Sequence, residues 1–180
     1  MDDYGKNIKQ MLEDRGYKNP SLDNFPGLIF SVKDDLNLPK STFADPDVAF
    51  KRLHSSINHI IAIVDDVDKW WKSAEYWVAE TEGNIAEIFN IDYFLTDHPE
   101  FYLNPKMEKV EDIQALNSAY KVEIPLLEWP MISIHDPLAR WYDMRFGQQV
   151  KLIREDRIDY AIVADLGSIQ KEYFVSVLVY

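Results

Sequence analysis

The stretch Trp129–Arg154, WPMISIHDPLARWYDMRFGQQVKLIR, decides how the chain is read. Asp136 is placed to cap a helix by accepting a bond from a free backbone N–H. Pro137 follows at the first turn, where no N–H donor is needed and its fixed φ suits the helix. Leu138, Trp141 and Tyr142 fall at i, i+3 and i+4 and therefore share a face. Gly147 closes the unit with a residue that tolerates positive φ, and Gln149–Ile153 has the pattern of a strand. Nothing in the stretch has the make-up of a catalytic centre.

Outside that stretch, the chain alternates helix and strand signals. Lys6–Arg15 is predicted helical, with Ile8, Met11 and Leu12 on one side. Leu28–Val32 is a short strand candidate, Asp34–Asp47 a loop rich in prolines and acids, and Pro46–Ser55 a helix opened by Asp45. Ile57–Val64 is a nearly continuous apolar run of the kind buried on both faces of a sheet. Asp68–Glu80 is a tryptophan-rich helix, and Ile85–Leu95 is ambiguous between helix and strand. In the second half, Glu108–Tyr120 has helical spacing at Val110, Ile113, Leu116 and Asn117. Gln149–Arg154, Ile158–Ala164 and Tyr173–Tyr180 are predicted strands, with turn residues at Asp165–Ser168. There is no internal repeat or low-complexity tract.

Composition bounds the function. A chain of 180 residues with 47% apolar content forms one folded domain or two small ones. No apolar run is long enough to span a bilayer and no cationic-then-apolar leader opens the chain, so no membrane partner is expected. The absence of cysteine excludes disulfides and thiolate metal sites. The formal charge is −12. It divides evenly: residues 1–91 carry 10 basic and 16 acidic side chains, residues 92–180 carry 9 and 15, so each half is at −6. Duplex binding is driven by cations that displace counterions from phosphate, and so acidic a chain is repelled from DNA at long range. Contact with duplex requires a local patch held there by a larger, more basic body.

The residues that could carry chemistry point away from catalysis. No pair among His54, His59, His98 and His135 has the spacing of a helical zinc motif. Asp65, Asp66 and Asp68 lack the glycine and closing glutamate of a calcium loop. Gly-rich phosphate loops, a triple-aspartate polymerase loop and a serine elbow are all absent. No catalytic residue, cofactor or metal is therefore assigned. Trp70, Ala74, Trp77 and Val78 share a helical face, with Trp71 beside them. This tryptophan cluster reads either as core or as a partner interface, since tryptophans carry much of the binding energy at protein contacts.

The Trp129–Arg154 block closely resembles one family: the fifth-largest subunit of the eukaryotic nuclear RNA polymerases, which has a shorter archaeal form. The resemblance rests on Pro130, Ile132, Asp136, Pro137, Leu138, Ala139, Arg140, Trp141, Tyr142, Gly147, Gln148, Val150, Lys151, Ile153 and Arg154. Met131 departs from it, standing where the family usually has a basic residue. Fainter likenesses are Ile8–Tyr17, including Asp14-Arg15-Gly16-Tyr17, the run Ile57–Val64, and Ile91, Thr96 and His98. After its Ile-Arg the family enters a short loop and a final strand with tyrosine and arginine. Here Glu155–Gly167 reads as an intervening segment, Ser168 and Tyr173 resume the pattern, and Val177 replaces the arginine.

The resemblance implies an α+β chain: an α/β jaw domain over 1–91 that resembles a nuclease-like fold, then a mixed-sheet assembly domain with short helices over 92–180. It implies a non-catalytic subunit of a DNA-directed RNA polymerase. Such a protein anchors on the largest subunit, contacts other polymerase subunits, and touches downstream duplex DNA only within the complex. Interface candidates are Asp136, Pro137, Arg140, Tyr142, Arg145, Gln148 and Lys151, of which Arg140, Arg145, Gln148 and Lys151 are expected to be exposed polar docking groups. The short, divergent jaw points to a homologue from a large DNA virus, placing the protein in a cytoplasmic viral factory and the virion; a cellular homologue would be nuclear. Two other classes compete. A nuclease would need an acid followed by Glu-x-Lys on the next strand, where this chain offers Ser31-Val32-Lys33. The other is a generic acidic adaptor.

Overall fold

A computed structural model describes residues 4–32, 38–39, 45–53, 57–95, 105–111, 130–165 and 174–177. The fold is mixed α+β with two four-stranded sheets, in two compact units: residues 1–96 with 170–180, and residues 97–169.

In the first unit, α1 (Tyr4–Asp14) precedes β1 (Leu28–Ser31), α2 (Pro46–Leu53), β2 (His59–Val64), α3 (Val67–Glu80) and β3 (Ile85–Asn90). A 3-10 turn, Ile91–Leu95, follows directly. The three strands are parallel in the order β1-β2-β3, and β8 (Phe174–Val177) adds antiparallel to β3. A parallel sheet needs both faces covered, which is why β2 is a continuous apolar run with five consecutive buried residues. Alternate residues serve opposite faces. Ile60, Ala62, Val64, Ala86 and Ile88 pack in one cluster with Phe50, Trp70, Ala74 and Trp77 of α2 and α3. Residues of the opposite parity face α1, whose buried stripe is Ile8, Met11 and Leu12, and the 3-10 turn, which buries Tyr93 and Phe94. Asp66 caps α3 by accepting a bond from the Lys69 N–H at 3.0 Å.

The second unit contains β4 (Lys106–Lys109), β5 (Met131–Ser133), α4 (Pro137–Trp141), β6 (Gln149–Ile153) and β7 (Ile158–Ala164). Its sheet runs β4-β6-β7-β5. β6 and β7 form an antiparallel hairpin, β4 pairs antiparallel with β6, and β5 pairs parallel with β7.

Several expectations meet a different arrangement. The join at 91/92 falls at the 3-10 turn, which stays with the first unit. The closing strand returns to β3 instead of continuing the second sheet, so the second unit is an insertion in the first. Glu108 and Lys109 are strand, not the start of a helix, because Met107–Lys109 pair with Val150–Leu152. Val110 and Glu111 are not helical either; residues 112–120 of that expected helix, residues 33–37 and 40–44 of the expected loop, and the expectations for His54, Thr96, His98, Ser168 and Tyr173 lie outside the described residues. Within the segment expected to intervene, Ile158–Ala164 is a central strand of the second sheet. The strand β5 has no counterpart in the sequence reading; three residues are too short to show alternation.

Gly27 lies where the chain turns into β1, at φ +79. Its carbonyl accepts the Ile61 N–H at 2.9 Å, and a Cβ there would collide with the backbone oxygen of His59. Gly27→Ala is expected to lower the unfolding free energy by about 2–4 kcal/mol through positive-φ strain and overpacking; urea denaturation measures it, and an unchanged midpoint would contradict this placement.

Candidate functional site

The Trp129–Arg154 block contains a capped helix, a turn and the first strand of a hairpin. Asp136 Oδ1 accepts from the Leu138 and Ala139 N–H groups at 2.8 and 3.2 Å. Pro137 opens α4 as expected. The helix ends at Trp141, with Tyr142 as the cap and Asp143 in the left-handed region at φ 53. Gly147 takes positive φ, as its position predicts, but at the entry to β6, where its N–H donates to the Val163 carbonyl at 2.8 Å. Gln148 Oε1 accepts the Arg145 backbone N–H at 2.8 Å, and the Arg145 guanidinium pairs with Asp143.

Burial separates the interface candidates. Leu138, Ala139, Arg140 and Trp141 are all buried, and Arg140 is only 3% exposed. The expectation that Arg140 is an exposed docking group is therefore corrected: a five-residue helix with its last four residues buried has no outward face to carry it. Asp136, Pro137, Tyr142, Arg145, Gln148 and Lys151 are half-buried.

Strand pairing places these groups in a larger surface. Residues directly opposite each other across a ladder point to the same face. Glu108, Lys151 and Tyr160 form one such row, Gln149, Ile162 and Met131 a second, and Ile153 and Ile158 a third. The other face buries Met107, Val150, Ala161 and Val163. Met131 and Ile158 are 51% and 46% exposed. One face of the second sheet thus presents apolar side chains beside a charged row. In that row Glu108 meets Lys151 at 3.6 Å, and it reaches Lys106, which pairs with Ile153 in the third row, at 2.8 Å. Hydrogen bonding from the Lys106 ammonium, above all, holds the Glu108 carboxyl below its ordinary pKa. At the hairpin tip the Arg157 guanidinium, by its hydrogen bond, does the same to Asp159.

The tryptophan cluster of the first unit resolves by position. Trp70 and Trp77 are 1% exposed and pack with Phe50, whose ring lies 6.0 and 5.6 Å from theirs. They are core. Trp71 packs against the same cluster and stays half-buried.

A second polar site has no motif in the sequence. Arg15, just beyond α1, sends two nitrogens to the two carboxylate oxygens of Glu87, each at 3.0 Å. Both side chains are nearly inaccessible, at 3% and 4%. His59 Nε2 meets the same carboxylate at 2.7 Å, and the guanidinium lies over the Phe89 ring, 5.8 Å from its centroid. Beside this triad is a cleft of 330 Å³ lined by Tyr17, Phe25, Pro26, Ile57, Asn58, His59 and Ile61. The available signal was Glu87 itself, one acid inside the apolar strand IAEIFN. A buried carboxylate demands partners, but one sequence does not say that they come from residues 15 and 59.

Among the described residues, no three His, Cys, Asp or Glu side chains converge as metal ligands, and no helix is long and apolar enough to cross a membrane. No protein-family model matches the chain, and no curated protein matches it.

Removing one partner from a buried pair leaves an uncompensated charge. Glu87→Leu is expected to cost about 3–5 kcal/mol of stability, and Arg15→Met with Glu87→Leu to recover most of it; additive losses in a double-mutant cycle would argue against the ion pair. Asp136→Ala should cost about 1 kcal/mol, measured by the same denaturation curves.

Proposed function

We propose that the chain is a non-catalytic subunit of a multisubunit DNA-directed RNA polymerase, akin to the fifth-largest subunit of the eukaryotic nuclear enzymes. The second unit is the assembly part and docks on the largest subunit. The first unit, in the role of the nuclease-like jaw, lies beside downstream duplex once the complex has formed. The shortened jaw fits a virus-encoded enzyme, acting in the viral factory and packaged in the virion.

One observation carries this reading: the block that bears the resemblance maps without interruption onto a single structural unit. Asp136 and Pro137 start α4, Gly147 and Gln148 turn the chain, and Val150, Lys151 and Ile153 form β6. The four residues 154–157 then lead into β7, which carries Tyr160. On the proposed reading these residues take the part of the family's short loop and tyrosine-bearing strand, in place of an intervening segment. The family's strand arginine has no equivalent in β7.

The docking surface is the open face of the second sheet and its neighbouring turn. Met131 and Ile158 supply apolar contact, while Lys151, Gln148 and Arg145 supply directional polar groups at its edge. An apolar patch with a polar rim is the usual anatomy of a specific interface. Arg140 is buried and is not part of that surface.

Charge supports a role that depends on assembly. At −12 the free chain has no long-range attraction for phosphate. It reaches duplex only when larger subunits supply the cations.

Arg145→Gln combined with Lys151→Gln, which sets no new carboxylate against Asp143 or Glu108, should abolish co-purification with two large polymerase subunits from the native source while a cooperative thermal melt is retained. Normal incorporation of the double variant would discard the docking assignment. The isolated chain should bind duplex DNA only weakly at roughly 150 mM salt, with little dependence on salt; a tight, salt-sensitive complex would contradict the charge argument.

A further inference from the structure

We propose that the cleft beside the Arg15–Glu87–His59 triad is a recognition pocket for a tyrosine or tryptophan side chain of a partner polypeptide. The site lies wholly in the first unit, so it does not depend on docking through the second.

The carboxylate sets the polarity of the site. Glu87 is 4% exposed and is gripped by both terminal nitrogens of Arg15. An ionised carboxylate in this bidentate grip accepts hydrogen bonds and donates none. The Nε2 atom of His59, 2.7 Å away, must therefore carry the proton in that contact. In a neutral imidazole this fixes the tautomer: Nε2 donates and Nδ1 is left as an acceptor. The two nitrogens point away from each other across the ring. His59 also lines the cleft, and no partner for its Nδ1 is found among the described residues.

The rest of the cleft suits an aromatic body. Tyr17 and Phe25 meet edge to face, with centroids 4.8 Å apart, and Ile57, Ile61 and Pro26 add apolar wall. The rim is open: Tyr17 is 42% exposed, and Pro26 and Asn58 are also exposed. Tyrosine and tryptophan combine a large ring with one O–H or N–H donor. They are also the residues that most often anchor interfaces by filling pockets. A volume of 330 Å³ is at the small end for drug-like ligands and ample for one such side chain. An open rim favours a chain segment over a free small molecule, which would be enclosed on most of its surface.

The cleft is also built to hold its shape. The collision that a Cβ at Gly27 would make with the His59 backbone shows how closely the turn after the lining residue Pro26 packs against His59. Arg15 stacks on Phe89 and ties the end of α1 to the sheet under the histidine. A partner side chain would meet a preset acceptor, so little ordering is needed on binding.

The test uses the full chain with methyl- and imidazole-detected NMR. The probes are the capped pentapeptides Gly-Gly-Tyr-Gly-Gly and Gly-Gly-Phe-Gly-Gly, with p-cresol as the free phenol. Under alkaline conditions that leave imidazole neutral, the His59 nitrogen shifts should report the Nε2–H tautomer; the Nδ1–H tautomer would overturn the proposal without any variant. The tyrosine peptide should give saturable shifts at Ile57, Ile61 and His59, and bind about three- to tenfold tighter than the phenylalanine peptide, the worth of one hydrogen bond. His59→Leu should erase that difference while the apolar shifts persist. Absence of saturable shifts would overturn the pocket, equal binding of the two peptides would overturn the role of His59, and p-cresol binding as tightly as the tyrosine peptide would overturn a polypeptide occupant. None of these outcomes touches polymerase co-purification, so the two proposals fail separately.

Discussion

The interaction on which the first unit depends is the grip of Arg15 and His59 on Glu87. The carboxylate lies in the middle of β3, in a strand whose other central residues are apolar and buried. Left alone there it would be neutralised or the strand would not form, because burying an isolated charge costs far more than a small domain can spare. Its two partners come from different elements: Arg15 from just beyond α1 and His59 from the first position of β2. The charge therefore specifies where α1 ends against the sheet. Hydrophobic contacts of Ile8, Met11 and Leu12 supply most of the energy holding the helix, but they tolerate sliding more readily than a bidentate pair does.

The same grip has a consequence at the surface. A histidine at a strand terminus would ordinarily rotate among rotamers and tautomers. Here one ring nitrogen is committed to the carboxylate, so the other acquires a defined role and direction. Stability and recognition are thereby linked in one group of residues. A change at Arg15, remote from solvent, alters what the cleft offers a partner. In the second unit the comparable element is Asp136. Its single oxygen satisfies two of the N–H groups at the start of α4 and sets the helix that carries Arg140 and Trp141 into the interior.

What could be read from the sequence follows the range over which each signal acts. The helix caps, the Ile60–Val64 core run and the Gln149–Ile153 and Ile158–Ala164 strands are local patterns, and the structure has them within a residue or two. The tryptophan face was legible as a face, and burial then identifies Trp70 and Trp77 as core. Pairing was not legible. Whether Phe174–Val177 joins the second sheet or returns to β3 depends on contacts far apart in sequence, as between Phe89 and Phe174, 85 positions apart. Lys106–Lys109 is strand only because β6 is there to pair with it. Arg140 was misread for a related reason: a cation one residue from the end of an amphipathic helix is normally exposed, and only the shortness of α4 brings it inside.

The return of β8 to β3 also bears on how a protein of this kind would work in an assembly. The second unit begins and ends within the first, so both of its ends are tied to one scaffold. A domain on a single flexible linker can dock while its neighbour wanders. A unit joined at two points loses much of that freedom, because closing a loop on a folded base removes chain entropy once, at folding, and not again at binding. If the second unit is the anchor, the first is then delivered to its place with less entropy left to lose. In the proposed polymerase role that would matter, because the acidic first unit has no long-range attraction of its own to DNA. Under that proposal its place beside the duplex comes from its covalent connection to the anchored unit, and the double connection is the feature of this fold that serves such a role.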